Sequence, residues 1–312
     1  MEDSYAIVAD GTCDLSPEIR ERFGVDGYLK NTMSTPEAED VEGRLDLSDD
    51  ELDAFYTALK ANKDGYKTAA PSVGNAVSFF ETWLRQGRDV LALSISSGLS
   101  ASYNVLVRAK EELEKKYPER KVVVVDSLKY SVALGLLTIK ACELRAAGLT
   151  LEDNAARLEE IRMTIHQIGS VDDLFWVASK GRISHAQAFF GTIAGIKAMG
   201  DFGPEGLVVV LAKVSGYEKM YKAAIEYIKR TIRDPHEQII MVAHTLRRDQ
   251  AAVLASKIRE EIRPKEVLAC NIYPLSGINT GPGLVAAYYT GTVITDLEDE
   301  KEIMRKILAR KL

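Results

Sequence analysis

What most limits the fold of this chain is an alternation in its first half. Three short apolar runs, YAIVAD (5–10), DVLALSI (89–95) and KVVVVDS (121–127), are each followed by a segment of helical period. LSPEIRERFG reads as a helix from near Ser16 to near Gly24. SVGNAVSFFETWLRQG sets Val73, Ala76, Val77, Phe80, Trp83 and Leu84 on one helical face, and Gly87 ends it. SASYNVLVRAKEELEKKYP is a helix closed by Pro118, and SVALGLLTIKACELRAAG is a further helix. Strands that read as continuous apolar runs between helices predict a parallel sheet covered on both faces.

The second half has a different rhythm. LTLEDNAARLEEIRMTIHQIG reads as a helix linking the halves, followed by SVDDLFWVAS and GLVVVLAKV as strands. EKMYKAAIEYIKRTI and RRDQAAVLASKIREEI are helices around the strand QIIMVAH, and VLACNIYPL and GLVAAYYTGT finish the sheet. Neighbouring strands with no helix between them predict a mixed sheet. The expectation is an α/β protein of two domains. Residues 1–165 form a three-layer domain on a parallel sheet, and residues 166–312 form an α/β domain on a mixed one. A length of 312 residues suits that division.

Several function classes drop out. The net charge is −6, with both signs mixed along the chain and no basic patch interleaved with aromatics, so nucleic acid is not an expected partner. Cys13, Cys142 and Cys270 lie far apart, without a CxxC pair, which gives neither a zinc signature nor a disulfide framework. No His/Asp/Glu cluster has metal-ligand spacing, so no metal is expected. The dinucleotide fingerprint and the P-loop are both absent, and no cofactor is expected. MEDSYAIVADG does not read as a signal peptide, and no apolar stretch is long enough to span a bilayer. The expected location is the cytoplasm.

What remains is a set of hydroxyl-rich strand ends, where open parallel sheets bind ligands. Asp10, Thr12 and Asp14 follow the first run, and Asp126 and Ser127 the third. LALSISSGLSASYN packs five serines around the end of the second. YKTAAPS offers Thr68 and Ser72, and SGINTGPG offers Asn279 and Thr280 among glycines. Each has a bland reading. Ser72, Ser100 and Ser102 suit helix caps, Asp10 and Asp126 suit turns, and Gly281 and Gly283 suit unusual backbone angles. A serine-dependent acyl hydrolase using Ser96 or Ser97 is the enzyme alternative. SISSG lacks the first glycine of Gly-x-Ser-x-Gly, and nothing ties His185 or His244 to either serine.

Taken together, VADGTCDLS, TAAPS, ISSGLSASYN, VVDS, KGRIS followed by GIK, and GINTGPG resemble the DegV family in order and separation, from about residue 7 to residue 285. The resemblance implies two α/β domains with a long-chain fatty acid held between them. Its carboxylate would lie near the hydroxyl motifs and its tail inside the second domain. Some family members are acyl-binding subunits of bacterial fatty acid kinase, in which a separate catalytic subunit phosphorylates the carboxylate. A fatty acid kinase catalytic subunit is therefore the partner the resemblance implies, and no catalytic residue is expected here. On this reading Thr68, Ser96, Ser97 and Ser100 cradle the carboxylate, and Asn279, Thr280 and Gly281 close the cradle. A carboxylate leaving water needs such donors, and a helix start supplies more.

The chain departs from the family pattern at several positions. Ala69 and Ala70 replace the family's Ser and Gln, Ala101 and Ser102 its Gly and Thr, Asn279 a histidine, Ala198 a proline and Ser215 an arginine. Loss of the histidine and arginine predicts a head-group site of neutral donors. A divergent member binding another small anion or a neutral lipid is the further alternative. For the tail, SHAQAFFGTIAGIKAM offers Ala186, Phe189, Phe190, Ile193 and Ile196 at helical spacing, as a tail pocket or as ordinary core. Arg182 in KGRIS is open between a structural role and contact with the head group or a partner.

Overall fold

The protein is described by a computed structural model covering residues 5–183, 195–295 and 297–309. The first half contains β1 (Tyr5–Asp10), α1 (Pro17–Phe23), β2 (Gly27–Leu29), β3 (Thr32–Ser34), β4 (Val41–Glu42), α2 (Asp49–Ala61), β5 (Lys67–Ala69) and α3 (Val73–Leu84). It continues with β6 (Asp89–Ser94), α4 (Ser102–Lys116), β7 (Val122–Asp126), α5 (Ser131–Ala146) and α6 (Leu151–Ile161). The second half contains β8 (Ile165–Val171), α7 (Leu174–Ser179), β9 (Ile196–Phe202), β10 (Val208–Ser215), α8 (Gly216–Thr231) and β11 (Ile239–His244). Then come α9 (Arg248–Glu261), β12 (Glu266–Asn271), α10 (Pro274–Thr280), β13 (Val285–Thr290) and α11 (Leu297–Leu308).

Sheet one runs β2-β1-β6-β7 and is wholly parallel, as the apolar runs predict. Sheet two runs β10-β9-β8-β13-β11-β12 and is mixed, with β9 and β10 paired antiparallel. A small antiparallel sheet, β4-β3-β5, is built from segments too short to show a period in the sequence.

Both faces of sheet one are buried. Ala6 and Val8 of β1 point to a cluster with Phe80 of α3 and Leu106 of α4. Tyr5, Ile7 and Ala9 point the other way, into a core that continues through α5 to Met241, Ala286 and Tyr288 of sheet two. The far face of sheet two packs on α8, α9 and α11. Helix α5 thus lies between the sheets, touching β1 and β6 on one side and β8, β11 and β13 on the other. That explains its sequence: a helix covered all round is apolar all round, and eleven of its residues are buried.

Two segments around residue 165 differ from the sequence reading. The predicted linking helix ends at Ile161, and IHQIGSV is strand β8, buried in the middle of sheet two. LFWVAS, read as a strand, is helix α7, started by Asp173, whose side chain accepts from Trp176 N at 3.2 Å. Ile196 opens strand β9 and does not continue a helix. Ala186, Phe189, Phe190 and Ile193 lie outside the described residues. No helix among the described residues is long and apolar enough to cross a membrane.

Candidate ligand-binding site

In sheet one the chain steps outward from β1 to β2 on one side and to β6 on the other. Ligands favour the carboxyl ends of strands at such a reversal. A cavity opens there, bounded by Thr12 after β1, Asn31 after β2, and Ile95, Leu99, Ser100 and Ser102 after β6. Thr68, Ala69 and Ala70 close one side from β5, and Leu275, Ser276, Asn279 and Thr280 another from α10. Tyr130, Val177, Arg182 and Val208 complete its wall.

Helix α10 is held over sheet one by several bonds. Tyr273 N donates to Asp14 Oδ1 at 2.9 Å, and Ser276 Oγ donates to the Thr12 carbonyl at 3.3 Å. Trp176 Nε1 donates to the Ile278 carbonyl at 2.9 Å, so α7 pins α10 from the other side. Gly281, just beyond α10, has φ 76° and ψ 171°, a conformation essentially reserved for glycine. A Cβ there would sit 2.6 Å from the Trp176 ring. Gly281 is therefore needed for close packing and is not among the wall residues.

The serines divide into two groups. Ser96 is wholly buried, accepts from Gly98 N at 3.2 Å, and packs against Gly206. Ser97 is exposed, with its backbone N–H bonded to Asp126 Oδ1 at 3.1 Å. Neither lines the cavity, so both belong to the turn that ends β6. Ser100 does line it, and its hydroxyl lies 2.9 Å from that of Ser102. Ser72 caps α3, accepting from Asn75 N at 3.1 Å.

Thr68 and Asn279 meet at the mouth of the cavity. Asn279 Nδ2 donates to Thr68 Oγ1 at 3.1 Å and to the Leu275 carbonyl at 3.2 Å. Both amide protons are then used, while the Thr68 hydroxyl keeps its own proton. Thr280 Oγ1 is buried near the Tyr130 hydroxyl. Arg182 is the only charged residue among the described wall residues. Its Nη1 donates to the Lys180 carbonyl, and burial pulls its pKa down from the usual guanidinium value. The site is therefore not one of neutral donors alone.

A second, apolar recess adjoins the first. It lies between sheet two and α7, lined by Val171, Leu174, Ile183, Ala198, Met199, Val210 and Leu284. Tyr130, Val177, Val208 and Thr280 belong to both walls. The spaces are narrow, about 80 Å³ and about 40 Å³. Ile196 lines neither. Sequence reading missed Asn31, Tyr130 and Ser276, and missed this apolar wall entirely. Ala198 and Met199 fall in GIKAM, but only the pairing of β8 with β9 on one side and with β13 on the other brings them near Leu284.

Among the described histidines none lines the cavity. His166 is buried in β8 between Asp201 and the Thr292 carbonyl, His236 is on the surface, and His244 faces a separate groove beside Arg248. No group of three or more His, Cys, Asp or Glu among the described residues could hold a metal ion.

Comparison with known proteins gives a consistent picture. A family model described as an uncharacterised protein of the DegV family matches residues 4–291. A DegV domain-containing protein of Clostridium perfringens is 30% identical over 288 residues, which is 92% of this chain and 98% of the relative. Among solved structures, one described as showing fatty acid binding of a DegV family protein from Thermus thermophilus superposes with a TM-score of 0.81. It is 24% identical, covering 92% of this chain and 99% of that one. The Streptococcus pneumoniae fatty acid kinase B3 protein, loaded with linoleic acid, has a TM-score of 0.78 at 20% identity, with 92% and 99% covered.

Proposed function

The chain belongs to the DegV family, and on that premise we propose that it holds a long-chain fatty acid with the carboxylate in the polar recess and the tail in the apolar one. The observation that carries this reading is that the two recesses are adjacent, with Tyr130, Val177, Val208 and Thr280 forming the wall they share. A molecule with one charged end and a long apolar body matches that sequence of walls. At the polar end the donors are the Thr68 hydroxyl, Ser100 and the Arg182 guanidinium, with Asn279 holding Thr68 in place. Because the recesses are narrow, tail entry parts the half-buried side chains of Leu99, Val177 and Val208. The fatty-acid-bound relatives of the same fold support the ligand class.

The same reading makes the chain a non-catalytic carrier in the cytoplasm that presents its carboxylate to a separate kinase subunit. The B3 protein supports that partner by likeness of fold. It also keeps the division into residues 1–165 and 166–312, since the strands of sheet one precede it and all but the first residue of sheet two follow it. A hydrolase would need a nucleophile and a base in the cavity. Ser96 and Ser97 lie outside it.

Native mass spectrometry of the purified protein tests the ligand class. The expected result is a co-purified species with the mass of a fatty acid, removed by denaturation. A protein that carries no lipid, and that takes up none when offered oleate, would overturn the proposal.

A further inference from the structure

Behind the hydroxyl wall of the polar recess lies a carboxyl that no part of the head-group reading uses. Asp10, at the end of β1, is wholly buried. Its Oδ1 accepts from Thr12 N at 3.0 Å, Thr12 Oγ1 at 2.8 Å and Asn31 Nδ2 at 3.1 Å. Its Oδ2 has no hydrogen bond of its own. The Ser102 hydroxyl lies near the carboxyl without a formed hydrogen bond to it, where it favours the ionised form. Ser102 in turn lies 2.9 Å from Ser100 Oγ, with either oxygen free to be the donor. Thr12, Asn31, Ser100 and Ser102 all line the recess, so Asp10 sits one layer behind the position of the head group.

The direction of donation along this row depends on Asp10. Thr12 spends its proton on Asp10, and Asn31 spends an amide proton there. Asn31 Oδ1, buried and without a partner, is left as an acceptor. With Asp10 ionised, Ser102 turns its proton toward it and Ser100 toward Ser102, and this row of hydroxyls offers a ligand only lone pairs, leaving donation to Thr68 and Arg182 elsewhere in the wall. With a proton on Oδ2, Asp10 donates to Ser102, Ser102 to Ser100, and Ser100 to the recess. Hydroxyls permit both directions because each is donor and acceptor.

We propose that Asp10 is the positioning residue that sets the polarity of this wall, and that a carboxylate is held more tightly when Asp10 carries a proton, which makes Ser102 and Ser100 donors beside Thr68 and Arg182. This rests on the proposed fatty acid ligand and adds that a bound carboxylate favours a proton behind it. Burial, the largest influence on Asp10, favours the neutral form, against the hydrogen bonds from Thr12 and Asn31 and the nearby Ser102 hydroxyl. The other titratable groups around it are Cys13 and Asp14 in the same loop, Tyr130 before α5 and Arg182 across the recess. Cys13 and Tyr130 are both pushed up to about 12 and stay neutral, and Asp14 is pushed up to about 7. The segment after β2, α4 and α10 contribute Asn31, Ser102 and Ser276, all uncharged.

The test is titration of decanoate and of decanol between pH 6 and pH 9, with the whole protein and with Asp10→Asn, Ser102→Ala and Asp14→Asn. The amide of Asp10→Asn can accept from Thr12 and donate to Ser102 at every pH. For the unaltered protein and for Asp14→Asn, decanoate affinity is expected to fall as pH rises across the range, while decanol affinity stays level. For Asp10→Asn, decanoate affinity should stay within threefold, and Ser102→Ala should bind decanoate weakly with no slope. Calorimetry of the unaltered protein in buffers of different ionisation heat gives a second reading, expected to show proton uptake with decanoate and none with decanol. Decanoate binding without a pH slope and without proton uptake would overturn the role of Asp10 and leave the fatty acid ligand standing. The same follows if Asp10→Asn keeps the full slope. Failure of decanoate to bind at any pH would overturn both.

Discussion

Asn279 and Thr68, 211 residues apart in sequence, share a hydrogen bond of 3.1 Å across the mouth of the polar recess. The bond ties α10, which leads into sheet two, to β5 of the small antiparallel sheet. It also fixes the Thr68 hydroxyl with its own proton unspent. Thr68→Val should therefore weaken a fatty carboxylate by about 1.5–3 kcal/mol, the value of a hydrogen bond to a charged group. Asn279→Ala should cost less, because it only frees Thr68 to turn. Asn279→His should strengthen binding below about pH 6.5, where the imidazole is charged, and less above it. Calorimetric titration of the three variants across pH checks all of this, and equal loss in the valine and alanine variants would contradict the assigned roles.

Arg182 brings the only positive charge among the described wall residues of the same recess. Arg182→Met should weaken decanoate by about 1.5–3 kcal/mol and decanol by far less. Parallel titration of the acid and the alcohol separates charge from packing. Equal weakening of both would mean that the guanidinium stem matters and its charge does not.

The pattern that placed sheet one was readable because β1, β6 and β7 are buried on both faces and helices follow each of them. The swap around residue 165 was not readable from period. The apolar positions of α6 run on into Ile165 and Ile168 without a break, and LFWVAS is as apolar as any strand. Asp173 three residues before Trp176 was the local sign of a helix start. Of the residues named from the strand-end motifs, the structure brings Thr68, Ser100, Asn279 and Thr280 to one cavity. Ser96 and Ser100 could not be told apart, because the turn that buries one and exposes the other to the recess depends on contacts with Lys129 and Gly206 far along the chain.

Gly281 should not tolerate a side chain. Its backbone conformation alone costs another residue about 1–3 kcal/mol, and a Cβ would meet the Trp176 ring besides. Gly281→Ala should lower the denaturation midpoint and, by shifting α10, weaken ligand binding as well. Denaturant unfolding followed by far-ultraviolet circular dichroism measures the first effect. A midpoint equal to that of the unaltered protein would contradict the packing described.

Asp14 links the loop after β1 to the start of α5 and to α10, accepting from Ser131 Oγ at 2.5 Å and from Tyr273 N at 2.9 Å. Burial pushes its pKa up from 3.8 to about 7. A folded-state value above the unfolded one means that its contribution is fully present below about pH 4 and is lost as pH rises through 7. By linkage the loss approaches about 4 kcal/mol. Asp14→Asn, whose amide can serve both bonds, should flatten the stability profile between pH 4 and pH 8. Urea unfolding at several pH values decides it, and an unchanged slope in the variant would assign the pH dependence elsewhere.

The central claim is that a polar recess for a carboxylate opens into an apolar recess for its tail at Val177. Titration of saturated fatty acids of increasing length, with the unaltered protein and with Val177→Phe, tests it most directly. Each methylene that reaches the apolar recess should add up to about 0.8 kcal/mol until the recess is full. The phenylalanine, placed where the two walls meet, should stop that increase at a shorter chain and leave the affinity of the shortest acids nearly unchanged. Affinity that does not rise with chain length, or a length dependence that Val177→Phe leaves intact, would contradict the account.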